Sequence, residues 1–127
     1  MVLLRILIVD DHDDARRALS QRLAEHKAIE SVESVSSARE ALLVAARMAP
    51  HAVVCDVRLR VGEPVALIQS LARLDERPRI IVHAPFLLPG ERELLSAAGA
   101  DAFVMKDAGI RALLDAVLDL NVGGMAR

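Results

Sequence analysis

Short apolar runs rich in valine and isoleucine alternate along the whole chain with longer segments of helical period. This alternation is typical of βαβ units around a parallel sheet, because strands covered on both faces have nearly continuous apolar sequences. The right-handed crossover rule then favours an α/β fold with a doubly wound sheet and helices on both of its faces. The five predicted strands, β1 to β5, are residues 5–10, 29–35, 52–56, 79–84 and 102–106.

Helical patterns fill the gaps between the strands, and several begin with residues that cap helices well. Asp13 or Asp14 can cap the first helix, and Asp107 can cap the last. Ser37 and Glu40 have the spacing of a capping box before the second helix. The five predicted helices, α1 to α5, are residues 13–26, 36–50, 64–74, 91–99 and 108–120.

Composition indicates one globular domain. The chain has 127 residues, of which 54% are apolar, so a substantial packed core is expected. Its formal net charge of -2 gives no electrostatic reason for a nucleic-acid surface or for attraction to an anionic membrane. We therefore expect no direct nucleic-acid binding by this chain and no membrane partner.

Cysteine usage and the N-terminal sequence favour a cytoplasmic protein. The single cysteine, Cys55, cannot form an internal disulfide and is expected to be a small buried hydrophobic residue. The apolar run near the N-terminus is interrupted by acidic residues before it could span a membrane or form a signal-peptide core. The sequence contains no zinc-spaced Cys/His cluster, no GxxxxGK[ST] motif and no GxGxxG after the first strand.

Polar residues end four of the five predicted strands. In a doubly wound sheet, ligands bind outside the carboxyl ends of the strands, near the point where the strand order reverses. These ends are therefore expected to converge on one functional rim. The residues delivered there are Asp10 and Asp11 after the first strand, Asp56 after the third, His83 in the fourth and Lys106 at the end of the fifth.

Three carboxylates in one cleft repel one another unless a cation lies between them. Mg²⁺ suits such a sparse cluster better than Ca²⁺, because it keeps several waters and takes only one or two carboxylates together with phosphate oxygens. An aspartate beside this ion, such as Asp56, is a candidate nucleophile toward a phosphoryl group, with Lys106 to meet the incoming negative charge.

The segments "ILIVDDH", "PHAVVCDVRL", "RPRIIVHA" and "GADAFVMKDAG" resemble the receiver domain of bacterial two-component response regulators. The "KDAG" sequence and the final helix followed by Gly-Gly are most similar to receivers that precede a LuxR-type helix-turn-helix output domain. The resemblance implies a flavodoxin-like strand order of 2-1-3-4-5. It also implies a receiver domain over residues 1–121, with residues 122–127 as a C-terminal tail or the start of a linker.

The same resemblance implies a role for each residue of the rim. Asp56 corresponds to the phosphorylated aspartate, and Lys106 to the lysine that contacts the phosphoryl group. Asp11 corresponds to a direct Mg²⁺ ligand, and Asp10 to the acid that holds metal-bound water. The backbone carbonyl of Arg58 corresponds to a further metal ligand.

Two positions match the conformational switch of the family. Phe103 corresponds to the aromatic residue that changes rotamer on activation. His83 replaces the Thr or Ser whose hydroxyl contacts the phosphoryl group. An imidazole can still donate a hydrogen bond, and protonation near neutral pH would favour a bound anion, but its size puts the usual movement of this residue in question.

The loop after the acceptor aspartate departs from the family pattern. Arg60 stands in place of the customary proline, and Glu63 with Pro64 replaces an Asp-Gly or similar pair. Pro64 lacks a backbone donor and cannot adopt the φ values open to glycine, so a different loop geometry is expected.

The resemblance implies two-component signal transduction. Asp56 would accept a phosphoryl group from a sensor histidine kinase in a Mg²⁺-dependent reaction and signal through the α4-β5-α5 face, which also suits a homodimer. Such an acceptor, even with slow autodephosphorylation, is not a classical turnover enzyme.

Two other functions fit parts of the sequence. An atypical receiver could act as a phosphorylation-independent interaction module. The atypical residues His83, Arg60 and Pro64 support this alternative. A phosphatase of the haloacid dehalogenase type is suggested by Asp11 and Asp13, but Ala15 stands where that family has Thr or Val.

Overall fold

The computed structural model describes residues 2–60 and 62–119. Five strands form a single sheet in the order β2-β1-β3-β4-β5, and every neighbouring pair is parallel. The predicted doubly wound sheet with flavodoxin-like order is therefore confirmed. The strands are β1 (Leu4–Val9), β2 (Ile29–Val35), β3 (Ala52–Cys55), β4 (Arg79–Ala84) and β5 (Ala102–Met105).

Five α-helices alternate strictly with the strands, as predicted, and a short 3₁₀ turn, Lys106–Ala108, follows β5. Within the described ranges no helix has the length and apolar character needed to cross a membrane. The predicted tail over 122–127 lies outside the described residues. The helices are α1 (Asp13–Ala24), α2 (Ala38–Met48), α3 (Pro64–Ala72), α4 (Glu91–Ala98) and α5 (Ile110–Leu118).

Two apolar cores lie on opposite faces of the sheet, because successive side chains of a strand point to opposite sides. Leu7 and Val9 pack with α2, α3 and α4, whereas Ile6 and Ile8 pack with α1 and α5. At the end of β3, Cys55 is fully buried, as expected, and burial raises the pKa of its thiol to about 12. The thiol is therefore a protonated core group.

The helix caps agree only in part with the predictions. Ser37 is confirmed as the cap of α2, since its side chain accepts a hydrogen bond from the Glu40 N–H at 3.2 Å. The Glu40 carboxylate in turn accepts a hydrogen bond from the Ser37 hydroxyl at 3.2 Å. The predicted cap at Asp107 is wrong. Asp107 lies in the 3₁₀ turn, and Gly109 precedes α5 in a positive-φ conformation.

The predicted cap at Asp13 or Asp14 is also wrong, because α1 begins after His12 and both aspartates lie in its first turn. The reason is Asp10, whose Oδ1 accepts a hydrogen bond from the His12 N–H at 2.9 Å. His12 is held in an extended conformation, and the helix can begin only at the next residue. Asp13 and Asp14 still favour this end of the helix through the helix dipole.

Gly99 ends α4 with a φ of +131°, and a Cβ at this position would lie 2.8 Å from the Cβ of Ala72 in α3. We expect Gly99→Ala to lower the free energy of unfolding by about 2–4 kcal/mol, since backbone strain and a steric clash add. Urea unfolding at pH 7 measures the loss.

Gly90→Ala is the matched control. Gly90 also has a positive φ, +79°, but among the described residues no heavy atom lies within 4 Å of a Cβ placed there. Only strain of about 1–2 kcal/mol is expected for this variant. Equal losses in the two variants would contradict a role for the close approach of α3 and α4.

Candidate functional site

The candidate site is built on the ends of two neighbouring strands. Val9 pairs with Cys55 in the sheet, so that Asp10 and Asp56, one residue further along, lie side by side. The hydrogen bonding of the sheet continues into both residues. The Asp10 N–H donates to the Val35 carbonyl oxygen at 3.1 Å, and the Asp56 N–H donates to the Val9 carbonyl oxygen at 2.9 Å. The sheet therefore fixes the backbone positions from which the two carboxylates project.

Both carboxylates are removed from water. Asp10 is 3% and Asp56 2% exposed, and they are the two buried charged residues within the described part of the chain. Buried ionised groups are costly without a partner. The Nζ of Lys106 lies 2.7 Å from Oδ2 of each carboxylate. Lys106 thus supplies the cation that both acids require.

The contacts of Lys106 with the two acids differ in alignment. The contact with Asp10 has hydrogen-bond geometry, whereas the contact with Asp56 is an ion pair only. Within 2–60 and 62–119, Oδ2 of Asp56 has no hydrogen-bond partner. Its other oxygen, Oδ1, accepts a hydrogen bond from the Arg58 N–H at 2.7 Å. One oxygen of Asp56 is held by a backbone donor, and the other faces the Lys106 ammonium.

The paired charges also control ionisation. Burial alone would raise the pKa of Asp10, but hydrogen bonds from Lys106 and from the His12 N–H outweigh it, and the pKa is lowered. Burial would lower the pKa of Lys106, but the two carboxylates raise it. At neutral pH Asp10 is therefore a carboxylate and Lys106 an ammonium ion.

Asp11 lies at the rim of the site, with 9% of its side chain exposed. Its Oδ2 accepts hydrogen bonds from the backbone N–H of Arg60 at 2.7 Å and from its Nε at 3.2 Å. Burial would raise the pKa of Asp11, but these bonds lower it. Its Oδ1 is buried and has no hydrogen-bond partner among the residues described. Arg60, noted in the sequence for replacing a proline, is thus part of the site.

His12 is a residue of the site that the sequence analysis missed. Its Nδ1 lies 3.1 Å from Oδ1 of Asp10 and 3.2 Å from Oδ1 of Asp11. One ligand atom each from Asp10, His12 and Asp56 lie within 4.8 Å of one another. The available signal was the position of His12 directly after two acids, rather than its spacing from other histidines.

Arg58 connects the loop after β3 to α4. Its guanidinium forms an ion pair with Glu91, the first residue of α4, and lies 4.9 Å from the ring centroid of Phe86. Both partners of this pair are mostly shielded from water, with side-chain exposures of 20% and 18%. The carbonyl of Arg58 stays a predicted metal ligand.

The two predicted switch residues lie on opposite faces of the sheet. His83 lines a cavity of about 210 Å³ between α1 and α5, together with Leu19 and Lys106. Phe103 packs on the other face, with the guanidinium carbon of Arg92 in α4 4.5 Å from its ring centroid. The structure therefore does not bring these two side chains together.

The environment of His83 does not favour the protonated state expected from the sequence. Burial and the nearby Lys106 lower its pKa, although Asp56 and Asp10 act in the opposite direction. The imidazole is therefore neutral at pH 7, contrary to the expectation of a cation that attracts an anion. A neutral imidazole still has one N–H to donate.

The oxygen atoms of the site fit a divalent metal ion. Asp11 Oδ1 is a buried acceptor without a hydrogen-bond partner in the described ranges, and the buried Oδ2 of Asp56 faces the Lys106 ammonium at 2.7 Å. Unsatisfied buried acceptors are unfavourable, and carboxylate oxygens are the ligands preferred by hard cations such as Mg²⁺. The donor set is therefore compatible with the predicted Mg²⁺.

The family model for the response regulator receiver domain matches residues 6–118. The chain belongs to this family. The predicted family is therefore confirmed, and with it a place among the receiver domains of two-component systems.

The relatives and structures show the same family and fold. The chain is 30% identical over 118 residues to response regulator GacA of Pseudomonas protegens. This match covers 91% of this chain and 54% of that protein. It is 28% identical over 123 residues to the DNA-binding transcriptional activator DevR/DosR of Mycobacterium tuberculosis, covering 95% and 56%. This chain thus spans about half the length of these curated relatives.

Among solved structures, a DNA-binding response regulator of the LuxR family from Staphylococcus aureus matches with a TM-score of 0.85 and 20% identity. The match covers 94% of this chain and 99% of that one. It shows the same fold.

Lys106→Met tests the dependence of the site on its ammonium group. Two buried carboxylates would face each other without a cation, so we expect the free energy of unfolding at pH 7 to fall by about 3 kcal/mol. Adding Asp56→Asn should recover part of this loss, because one of the opposed charges is then removed. Urea unfolding of the single and double variants measures both effects.

Lys27→Met is the matched control, because Lys27 is an exposed lysine outside the site. A change within about 0.5 kcal/mol is expected there. If Lys106→Met lowered the free energy of unfolding as little as Lys27→Met, Lys106 would not be the partner on which the two carboxylates depend.

Proposed function

We propose that this receiver domain accepts a phosphoryl group on Asp56 from the phosphohistidine of a sensor histidine kinase. The observation that carries this proposal is the state of the Asp56 carboxylate. Oδ1 is fixed by the Arg58 N–H, while Oδ2 lies 2.7 Å from the Lys106 ammonium and accepts no hydrogen bond within the described residues. A carboxylate held in this way is oriented for attack through Oδ2.

In the proposed reaction, Oδ2 of Asp56 forms a bond to phosphorus as the bond from phosphorus to the histidine nitrogen of the donor breaks. Lys106 meets the phosphoryl oxygens and stabilises their negative charge. A surface depression of about 630 Å³, lined in part by Asp11, Arg60 and Lys106, offers room for the donor.

The metal of this proposal is Mg²⁺, with Asp10, Asp11, Asp56 and the backbone carbonyl of Arg58 as its proposed ligand set. When bound, the ion supplies positive charge that offsets the repulsion between carboxylates and phosphoryl oxygens. The buried Oδ1 of Asp11, which has no hydrogen-bond partner among the described residues, and the buried Oδ2 of Asp56 beside Lys106 support this assignment. Asp10, already bonded to Lys106, suits an indirect role through metal-bound water.

We further propose that the signal leaves through the α4-β5-α5 face, which would also serve for a homodimer. Two contacts support this route. Arg58 joins the acceptor loop to the start of α4 through Glu91, and Arg92 of α4 lies over the ring of Phe103 in β5. The acceptor site and this face are thus in physical contact.

The proposed role is a phosphoacceptor over residues 1–121, in the cytoplasm, and not a classical turnover enzyme, although slow autodephosphorylation is compatible with it. DevR/DosR is by its name a DNA-binding transcriptional activator. We extend the proposal accordingly to transcription regulation by a longer protein that contains this domain, with residues 122–127 as a tail or linker.

The test is incubation with acetyl phosphate and Mg²⁺, followed by intact-mass measurement. We expect uptake of one phosphoryl group by the wild-type domain, dependence on Mg²⁺, and no uptake by Asp56→Asn. Asp75→Asn, a matched change at an exposed aspartate, should leave uptake intact. Mass is a suitable readout because the chain contains no Trp or Tyr to report fluorescence changes.

Other outcomes of this experiment have defined meanings. Uptake that survives Asp56→Asn would place the acceptor elsewhere and overturn the proposal. A folded domain without uptake from acetyl phosphate or from a phosphorylated kinase would favour a phosphorylation-independent interaction module. Repeated turnover of phosphate esters would favour a phosphatase.

His83→Thr tests the atypical switch position. A threonine hydroxyl can donate to a phosphoryl oxygen, and one hydrogen bond to a charged group is worth roughly tenfold or more in affinity. We expect uptake to continue and beryllofluoride to bind about tenfold more tightly to His83→Thr than to His83→Val, the matched variant without a hydroxyl. Calorimetry measures the binding. Loss of uptake in both variants would instead show that the imidazole is required.

A further inference from the structure

Three donor groups of Arg60 contact Asp11, one of the proposed metal ligands. Its backbone N–H and its Nε both bond to Oδ2 of Asp11, and its Nη2 lies 3.3 Å from the Asp11 carbonyl oxygen. These contacts close the loop after β3 onto the residue that follows β1. The arginine side chain itself remains 79% exposed.

This contact bears on the ligand set expected for the metal. The ligand atoms that the structure brings within 4.8 Å of one another come from Asp10, His12 and Asp56, and this group does not include Asp11. Asp11 keeps one buried oxygen, Oδ1, without a hydrogen-bond partner in the part of the chain described. Its other oxygen already accepts two N–H groups of a cationic residue.

We infer that Arg60 is a tethered cation that competes with Mg²⁺ for Asp11, so that the ion binds fully only when the guanidinium leaves. The inference rests on the metal site of the proposed function and adds a device that keeps the acceptor site in a low-affinity state. The competition is electrostatic as well as steric, since a guanidinium beside Asp11 repels a divalent cation in the same pocket.

The exposure of Arg60 sets the size of the effect. An exposed guanidinium is easily rehydrated, and ion pairs of exposed side chains are weak. The bond from the backbone N–H and the fork of donors make this pair somewhat stronger than a simple surface contact. We therefore expect Arg60 to weaken Mg²⁺ binding by about three- to tenfold rather than to block it.

The experiment is calorimetric titration of the isolated domain with MgCl₂ in the absence of any phosphoryl donor. Arg60→Gln keeps the backbone N–H and removes the charge, so it should bind Mg²⁺ about three- to tenfold more tightly than the wild type. Arg60→Lys keeps the charge without the planar fork and should give an intermediate affinity.

Arg17→Gln is the matched control. Arg17 is 70% exposed and is also paired with an aspartate, Asp14, through one salt bridge in α1. Its replacement changes the net charge by the same amount without touching Asp11. We expect an affinity within about twofold of the wild type, since exposed charges in water interact weakly.

A second readout follows the release of Arg60 directly. In the wild type, saturating Mg²⁺ should increase the hydrogen-exchange rate of the Arg60 Nε–H and shift its signal in nuclear magnetic resonance spectra, because this group donates to Asp11. An exchange rate that Mg²⁺ leaves unchanged, together with equal affinities of wild type and Arg60→Gln, overturns the inference. Weaker binding by Arg60→Gln also overturns it and would make Arg60 a residue that positions Asp11.

Failure of the metal site itself gives a different pattern. If neither the wild type nor Arg60→Gln binds Mg²⁺, the metal site and the competition fall together. If the wild type binds Mg²⁺, Asp11→Asn abolishes binding, and Arg60→Gln has no effect, the metal site stands and only the competition is wrong.

Discussion

The site depends on one lysine that neutralises two carboxylates placed by adjacent buried strands. Parallel pairing of β1 with β3 puts Asp10 and Asp56 side by side, where their mutual repulsion and their burial would each oppose folding. Lys106 lies at the end of the edge strand β5, and its side chain contacts both Asp10 and Asp56. Strands β1, β3, β4 and β5 must therefore be assembled before the charges are balanced, which couples the integrity of this part of the sheet to the state of the site.

The fold was predictable because its signals are local and repeated. Every predicted strand agrees with the structure to within one residue at each end. The buried strands β1, β3 and β4 have nearly continuous apolar sequences, whereas the edge strand β2, IESVESV, is mostly half-buried and has a weaker apolar pattern. The helix caps were less predictable. Asp13 and Asp14 have the right residue type for a cap, but the hydrogen bond from His12 to Asp10 decides where α1 begins. That bond belongs to the site and has no signature in helix-forming sequence patterns.

The candidate site was predictable to the extent that strand ends determine position. Asp10, Asp56 and Lys106 converge as the topology requires, while Asp11 lies at the rim and binds Arg60. The contact of Arg60 with Asp11 was not predictable, because it depends on the path of a loop that departs from the family pattern, and loop geometry is not set by residue type alone. The neutral state of His83 likewise depends on how deeply it is buried beside Lys106, which only the packed structure shows.

Arg58 divides two tasks between its main chain and its side chain. The backbone N–H, which any residue except proline would provide, holds Oδ1 of Asp56, while the guanidinium holds Glu91 at the start of α4. Mutation can therefore alter the second contact and leave the first unchanged. At this position, sequence variation can adjust how firmly the loop after β3 is coupled to α4 without disturbing the backbone contact to Asp56.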